Sequence, residues 1–184
     1  MTIESIIEGC RNGDAEARRE LYQRYASEMF ALVRRYVKVR AAAEDVFHDG
    51  FVVAYTKIDS YRGEGSFEGW LRRIFVNAAL THLRNSSLHK TLESDVGDLP
   101  PNVAEGAPPE VLSTLTQQEL AKIMERLPEG YRTVINLYAV EGYSHAEIGQ
   151  MLNVSESTSR SQYLRARARL AELIKEYERV KESN

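Results

Sequence analysis

Cysteine is nearly absent from this 184-residue chain: Cys10 is the only one. That excludes an internal disulfide and a cysteine-rich zinc site. Histidine is also scarce, and His48, His82, His89 and His145 show no pairing at metal-ligand spacing. No apolar run approaches the roughly 18 residues that span a bilayer, so no membrane insertion is expected. The first residues, Met-Thr-Ile-Glu-Ser-Ile-Ile-Glu, lack the basic-then-apolar layout of a signal peptide, and a cytoplasmic location is expected. Period-2 alternation is missing, which argues against a sheet. No Ser/His/Asp constellation, glycine-rich phosphate loop or paired metal ligands stand out, so neither an enzyme nor a cofactor is expected.

Proline is rare and unevenly placed. Four of the five prolines (Pro100, Pro101, Pro108, Pro109) fall between Asn85 and Pro109. Residues 85 to 119 set one lysine against six acidic residues, a net of −5. Low hydrophobicity, negative charge and proline together read as a flexible acidic linker. The whole chain carries a net charge of −3. That is unusual for a protein gripping DNA alone, because phosphate neutralisation supplies most non-specific affinity. Residues 155 to 170 differ, with four arginines against one glutamate, a net of +3.

The apolar residues that are present recur at helical spacing. Residues 2 to 10 predict a short helix ended by Asn12-Gly13. Asp14 caps a long stretch to about Val39, with Ala17, Leu21, Tyr25, Met29, Leu32 and Tyr36 on one face. A second long helix runs from about Ala41 to Ile58, its polar side formed by Glu44, Asp45, His48 and Asp49. Ser66 caps a third, about Phe67 to Leu83. Beyond the linker, Ser113 or Thr114 starts a helix that runs to Leu127, with Thr114 to Gln117 as a capping box. Pro128 opens the next and Gly142 stops it. Ser144 to Glu147 forms a full capping box for a helix ending at Leu152. Asn153 supplies a turn, and Ser155 caps a last helix reaching about Val180. The expected fold is all-α.

The last two helices fit a helix-turn-helix. Gly149 is the small residue at the crossing, Ile148, Leu152 and Val154 lock the pair, and Asn153 accepts the turn. The second helix is expected to present Ser157, Thr158, Arg160, Ser161, Gln162 and Arg165 outward, where arginine can pair with guanine and glutamine with adenine. Arg167 and Arg169 lie further on and suit phosphates, which position without specifying. A plain αα-hairpin with a solvated basic face is the bland alternative. Ser159 stands where an apolar anchor is usual. Either it is buried and bonds back to the preceding helix, or the helix is slightly rotated.

Four stretches resemble the extracytoplasmic-function class of bacterial sigma factors. They are Ala43 to Phe51 (AEDVFHDGF), Tyr61 to Asn77 (YRGEGSFEGWLRRIFVN), Leu127 to Leu137 (LPEGYRTVINL) and Glu141 to Gly149 (EGYSHAEIG). Their order and spacing match the family across nearly the whole chain outside the linker. The resemblance implies a sigma-2 domain at 1–86, a flexible linker at 87–112 and a sigma-4 domain at 113–184. It implies that Asp45, His48 and Asp49 dock on the β′ clamp of core RNA polymerase; His48 replaces the family's usual glutamine. Without the other motifs that surface would read as a solvated acidic face. Arg62, Ser66, Phe67, Trp70, Arg73, Asn77 and Arg84 would melt and capture the −10 element of promoter DNA. At helical spacing Phe67 and Trp70 are more often core than base-stacking surface, and as core they would shape the pocket from beneath. Ser157, Thr158, Arg160, Ser161, Gln162, Arg165 and Arg167 would read the −35 duplex. The implied partners are core polymerase, promoter DNA and an anti-sigma factor. The linker would thread through the polymerase, though a simple spacer explains its composition equally. The rival class is an effector-responsive regulator that binds operators without polymerase; it has no need of the Tyr61 to Asn77 segment.

Overall fold

A computed structural model of the chain describes residues 1–86 and 115–182. Chain contacts divide it into two compact units, Met1–Ser86 and Ser87–Asn184. The described residues are helical and contain no strand. None of their helices is long and apolar enough to cross a membrane. The expected linker at 87–112 and the expected caps Ser113 and Thr114 lie outside the described residues.

The first unit contains α1 (Ile3–Arg11), α2 (Ala15–Tyr36), α3 (Arg40–Thr56), a 3₁₀ turn (Ile58–Ser60) and α4 (Phe67–Ser86). Thr2 and Asp14 cap α1 and α2, each accepting a bond from a first-turn amide. Helices α2, α3 and α4 pack against one another, and α1 lies on α2. Their shared interior is apolar and aromatic: Leu21, Met29, Leu32, Tyr36, Phe47, Phe51, Leu71, Phe75 and Leu80 are all buried. Phe75 sits edge-on to Phe51, with centroids 5.1 Å apart, and Phe47 meets Phe51 in the same manner at 5.2 Å. Gly50 makes this crossing possible. A Cβ added there would meet the Phe75 ring at 2.5 Å.

The second unit contains α5 (Gln117–Glu125), α6 (Glu129–Ile135) extended by a π turn (Asn136–Val140), α7 (His145–Leu152) and α8 (Glu156–Glu182). The α5 capping box is Thr116 with Glu119, so the helix begins later than its sequence suggests, and ends at Glu125 rather than Leu127. Pro128 precedes α6, and Gly142 at φ 80° ends the turn after it. Helices α5, α6 and α7 each pack on α8. Ile123, Leu127, Ile135, Ala166, Leu173 and Ile174 form the apolar core. Arg132, Thr133, Asn136, His145, Ser159 and Gln162 are buried as well.

Candidate nucleic-acid interface

The helix-turn-helix geometry follows from three local features. Ser144 Oγ accepts from the Glu147 amide, while Glu147 Oε2 accepts from the Ser144 amide at 2.8 Å. The Ser144 and Glu147 amides at the start of α7 are thus satisfied within the box. Asn153 adopts φ 56°, ψ 46°, the left-handed conformation needed to end α7 and turn. A Cβ on Gly149 would meet the Val154 carbonyl oxygen at 2.8 Å and the Glu156 nitrogen at 3.3 Å. Only glycine lets the turn fold back this closely. Ser155 Oγ then accepts from the Thr158 amide at 3.0 Å and starts α8.

Along α8, Ser159, Gln162 and Ala166 are buried. Their spacing of three and four residues defines the inward face. Ser157 and Arg160 are exposed; Thr158, Ser161, Arg165 and Arg167 are partly exposed. One expectation is corrected. Gln162 is only 2% exposed and does not point outward. It lies three residues beyond Ser159 on the buried stripe, so packing against the rest of the unit claims it. Arg160 Nη2 donates to Glu156 Oε1 at 2.8 Å. The Arg167 guanidinium stands 5.8 Å from the Tyr163 ring centroid.

Ser159 takes the buried alternative. Its Oγ lies 3.0 Å from His145 Nδ1. The His145 ring stacks on Tyr138, with centroids 4.3 Å apart and planes 7° from parallel. Tyr163 closes the group, 4.5 Å from Tyr138. Burial, then the nearby Arg160 guanidinium, push the imidazole pKa below its ordinary 6.5, and Glu156 partly opposes them. The neutral ring is therefore favoured. The sequence marks His145 only as the second residue of a capping box. Its polar partner fourteen residues on has no local signature.

The first unit offers a different surface. Ser66 caps α4, accepting from the Gly69 amide at 3.0 Å. At about 100° per residue, Ser66, Trp70, Arg73, Asn77 and Arg84 fall within about 60° of arc. They form one stripe, with Trp70 half-buried and the other four exposed. Phe67 lies about 100° from the Ser66 direction. It is 5% exposed, and this decides the open alternative in favour of core and corrects its placement among contacting residues. Burying such a ring is worth about 1.5–3 kcal/mol. Stacking on a base would return about 1–3 kcal/mol, so expelling it offers no net gain. Phe67 instead packs beside Tyr61 (5.2 Å), Trp70 (5.2 Å) and Tyr25 (5.9 Å). Tyr61 and Tyr25 complete this aromatic floor, and sequence reasoning gave neither this role. Arg62 is exposed in the loop above it. Arg11 Nη2 donates to the Tyr61 carbonyl at 2.7 Å, and Tyr61 Oη donates to the Gly65 carbonyl at 2.9 Å, which ties the loop down.

On α3, Asp45, His48 and Asp49 are exposed and share one face. Val52 continues that face and is 62% exposed. Arg40 Nε donates to Glu44 Oε1 at 2.9 Å at its edge.

Comparison with known proteins agrees with this layout. The family model for sigma-70 region 2 matches residues 21–88, and that for sigma-70 region 4 matches residues 117–170. The ECF RNA polymerase sigma-E factor of Haemophilus influenzae is 31% identical over 175 residues, covering 91% of this chain and 92% of its own. The ECF RNA polymerase sigma-E factor of Escherichia coli K12 is 33% identical, with 91% of each chain covered. Among solved structures, the sigma factor RpoE in complex with the anti-sigma factor NepR, from Bartonella quintana, superposes with a TM-score of 0.54 at 23% identity. That match covers 85% of this chain and 96% of the other. CnrH in complex with the cytosolic domain of CnrY gives a TM-score of 0.51 at 23% identity, covering 92% and 95%. These two likenesses concern the fold.

Proposed function

The chain belongs to the extracytoplasmic-function family of sigma-70 factors, and on that premise we propose how it divides the work of promoter recognition. The exposed Asp45, His48 and Asp49 face of α3 docks on the β′ clamp of core RNA polymerase, where carboxylates can take clamp arginines. The α8 surface of Ser157, Thr158, Arg160 and Ser161 reads the −35 duplex. Arg165 and Arg167 hold phosphates, and Gln162 leaves the set of contacts. The α4 stripe captures the −10 element: Asn77 meets a base edge, Arg62, Arg73 and Arg84 hold backbone, and Trp70 stacks. Phe67 supports Trp70 from within. The chain supplies no catalytic group, and phosphoryl transfer belongs to the polymerase. It works in the cytoplasm, and an anti-sigma factor of the kind seen with RpoE is its regulator.

The observation that carries this reading is the pairing, in one chain, of a helix-turn-helix unit with a unit bearing a stripe of exposed arginines and asparagine beside a half-buried tryptophan. An operator-binding regulator needs only the first. The Glu156 clasp on Arg160 does not oppose duplex reading. An exposed i,i+4 pair is worth about 0.3–0.5 kcal/mol, whereas a bidentate contact to guanine is worth about 1–3 kcal/mol. The base wins the guanidinium.

Transcription in vitro tests the division of labour, using core enzyme and a genomic template library. The full chain alone is expected to bind promoter duplex weakly. With core it gives salt-sensitive binding and permanganate-reactive thymines near the start site. Arg160→Ala should impair −35 recognition and leave core association intact. Asn77→Ala should slow opening more than closed-complex formation. Strong operator binding and dimerisation without core would overturn the proposal.

A further inference from the structure

The buried contact between His145 and Ser159 does more than fill space. Ser159 lies on α8 between Thr158 and Arg160, two residues of the proposed duplex-reading surface. Its hydroxyl is fully buried and meets His145 Nδ1 at 3.0 Å. His145 is the first residue of α7, and its ring stacks flat on Tyr138 of the preceding π turn. We propose that His145 is a positioning residue for −35 reading: through Ser159 it sets the rotation of α8 about its own axis, and so which side chains enter the groove.

The physical reason is directionality. An apolar anchor tolerates sliding, because dispersion attraction changes gently with position. A hydrogen bond fixes its partners to within a few tenths of an ångström. With side chains, a helix has a radius of about 5–6 Å, so a turn of roughly 20° moves a side-chain end by about 2 Å. That exceeds the tolerance of a bidentate base contact. The lever is shortest where the constraint lies beside the reader, and Ser159 is adjacent to Arg160. Tyr138 keeps the imidazole plane from swinging, and Tyr163 on α8 packs against both rings, with centroids 4.5 Å and 5.6 Å away. Gly149 completes the arrangement by fixing how near the start of α8 comes to α7.

This inference rests on the duplex-reading proposal, and two substitutions separate its parts. His145→Phe keeps a flat ring on Tyr138 and loses the hydrogen bond. His145→Asn loses the ring but places an amide atom where Nδ1 stands. Each full-length variant, with Ser159→Ala beside them, is assembled with core polymerase. Each is then offered a fully randomised duplex library long enough to hold both promoter elements. Melting of the same samples is followed by circular dichroism. Wild type should enrich an upstream motif and a start-proximal one. For His145→Phe and Ser159→Ala, upstream enrichment should fall by about tenfold or move to other bases, the scale of one lost buried hydrogen bond. Start-proximal enrichment should hold, and His145→Phe should still melt cooperatively, at a temperature below wild type because the Ser159 hydroxyl is left unmet. His145→Asn should select the wild-type motif. The proposal is overturned if His145→Phe selects the wild-type motif, or if His145→Asn fails as badly as His145→Phe. A wild-type holoenzyme that enriches only the start-proximal motif overturns duplex reading itself, and this inference with it.

Discussion

Both units have an apolar core, but they differ in what else they bury. The interior of the first is a run of interlocked rings and aliphatic chains, from Phe47, Phe51 and Phe75 to Leu71 and Leu80. Among the described residues, the buried polar side chains other than tyrosine all belong to the second: Arg132, Thr133, Asn136, His145, Ser159 and Gln162. Apolar area stabilises without preferring a direction. Buried polar groups must meet partners at defined angles, and leaving one unmet costs about 1–3 kcal/mol. The first unit thus has a firm apolar core beneath the mostly exposed α4 stripe. The second gives interior volume to polar groups, and one pair of them, His145 and Ser159, joins the start of α7 to α8. On the proposed function that is an advantage, because small rotations of α8 would matter at the groove.

The largest expected effect would come from attacking the aromatic core. Phe75→Ala should destabilise the first unit by about 3–5 kcal/mol. Hydrogen exchange on the full chain should show protection lost mainly across residues 1–86. A comparable loss across 115–182 would erase the contrast between the units. Next is Gly149→Ala, whose added methyl meets backbone rather than a movable side chain. A cost of about 1–3 kcal/mol is expected, read in the exchange of residues 115–182. Wild-type protection there would show that the close turn yields easily. Thr133→Val probes the polar interior more gently. Thr133 Oγ1 donates to the Glu129 carbonyl at 2.8 Å inside its own helix. Losing it should cost about 1 kcal/mol in denaturant melts, because the methyl replaces the volume but not the bond.

The smallest effect concerns charge at the surface of the second unit. Glu119 accepts bonds from Lys181, from the Thr116 amide and hydroxyl, and from Tyr177. The Lys181 bond leads, and together they hold the carboxyl pKa down from its ordinary 4.5 to about 2. A carboxylate depressed by folding stabilises the fold above its unfolded pKa. Its contribution is lost as pH falls through the folded value. The second unit should therefore weaken as pH drops from about 4.5 towards 2, and Glu119→Gln should flatten that slope. An unchanged slope in the variant would assign the acid sensitivity to other groups.

Much of this was legible locally. The Ser144–Glu147 box, the Asn153 turn and the Gly149 crossing are each written in adjacent residues, and the structure has all three. The α4 stripe follows from helical period alone, since Ser66, Trp70, Arg73, Asn77 and Arg84 are separated by steps that return to one side. Boundaries were less legible. Thr116 caps α5 rather than Thr114, because two nearby threonines offer similar local chemistry and Glu119 stands three residues after only one of them. The Glu119–Lys181 and Arg126–Glu176 pairs join residues more than forty positions apart, and nothing nearby announces them.

The sequence by itself determined that the chain is helical, where most helices start and stop, and which family it belongs to. These depend on propensity, capping and period, which act within a few residues. Only tertiary structure decided which arc of each helix is inside. It turned Gln162 inward, placed Phe67 beneath the α4 stripe rather than on it, and joined Ser159 to His145. The reason is that a helix's buried arc is set by the surface it meets. Two amphipathic readings a fraction of a turn apart differ little in local energy, until a partner supplies a glycine gap, a ring to stack on or an atom to bond.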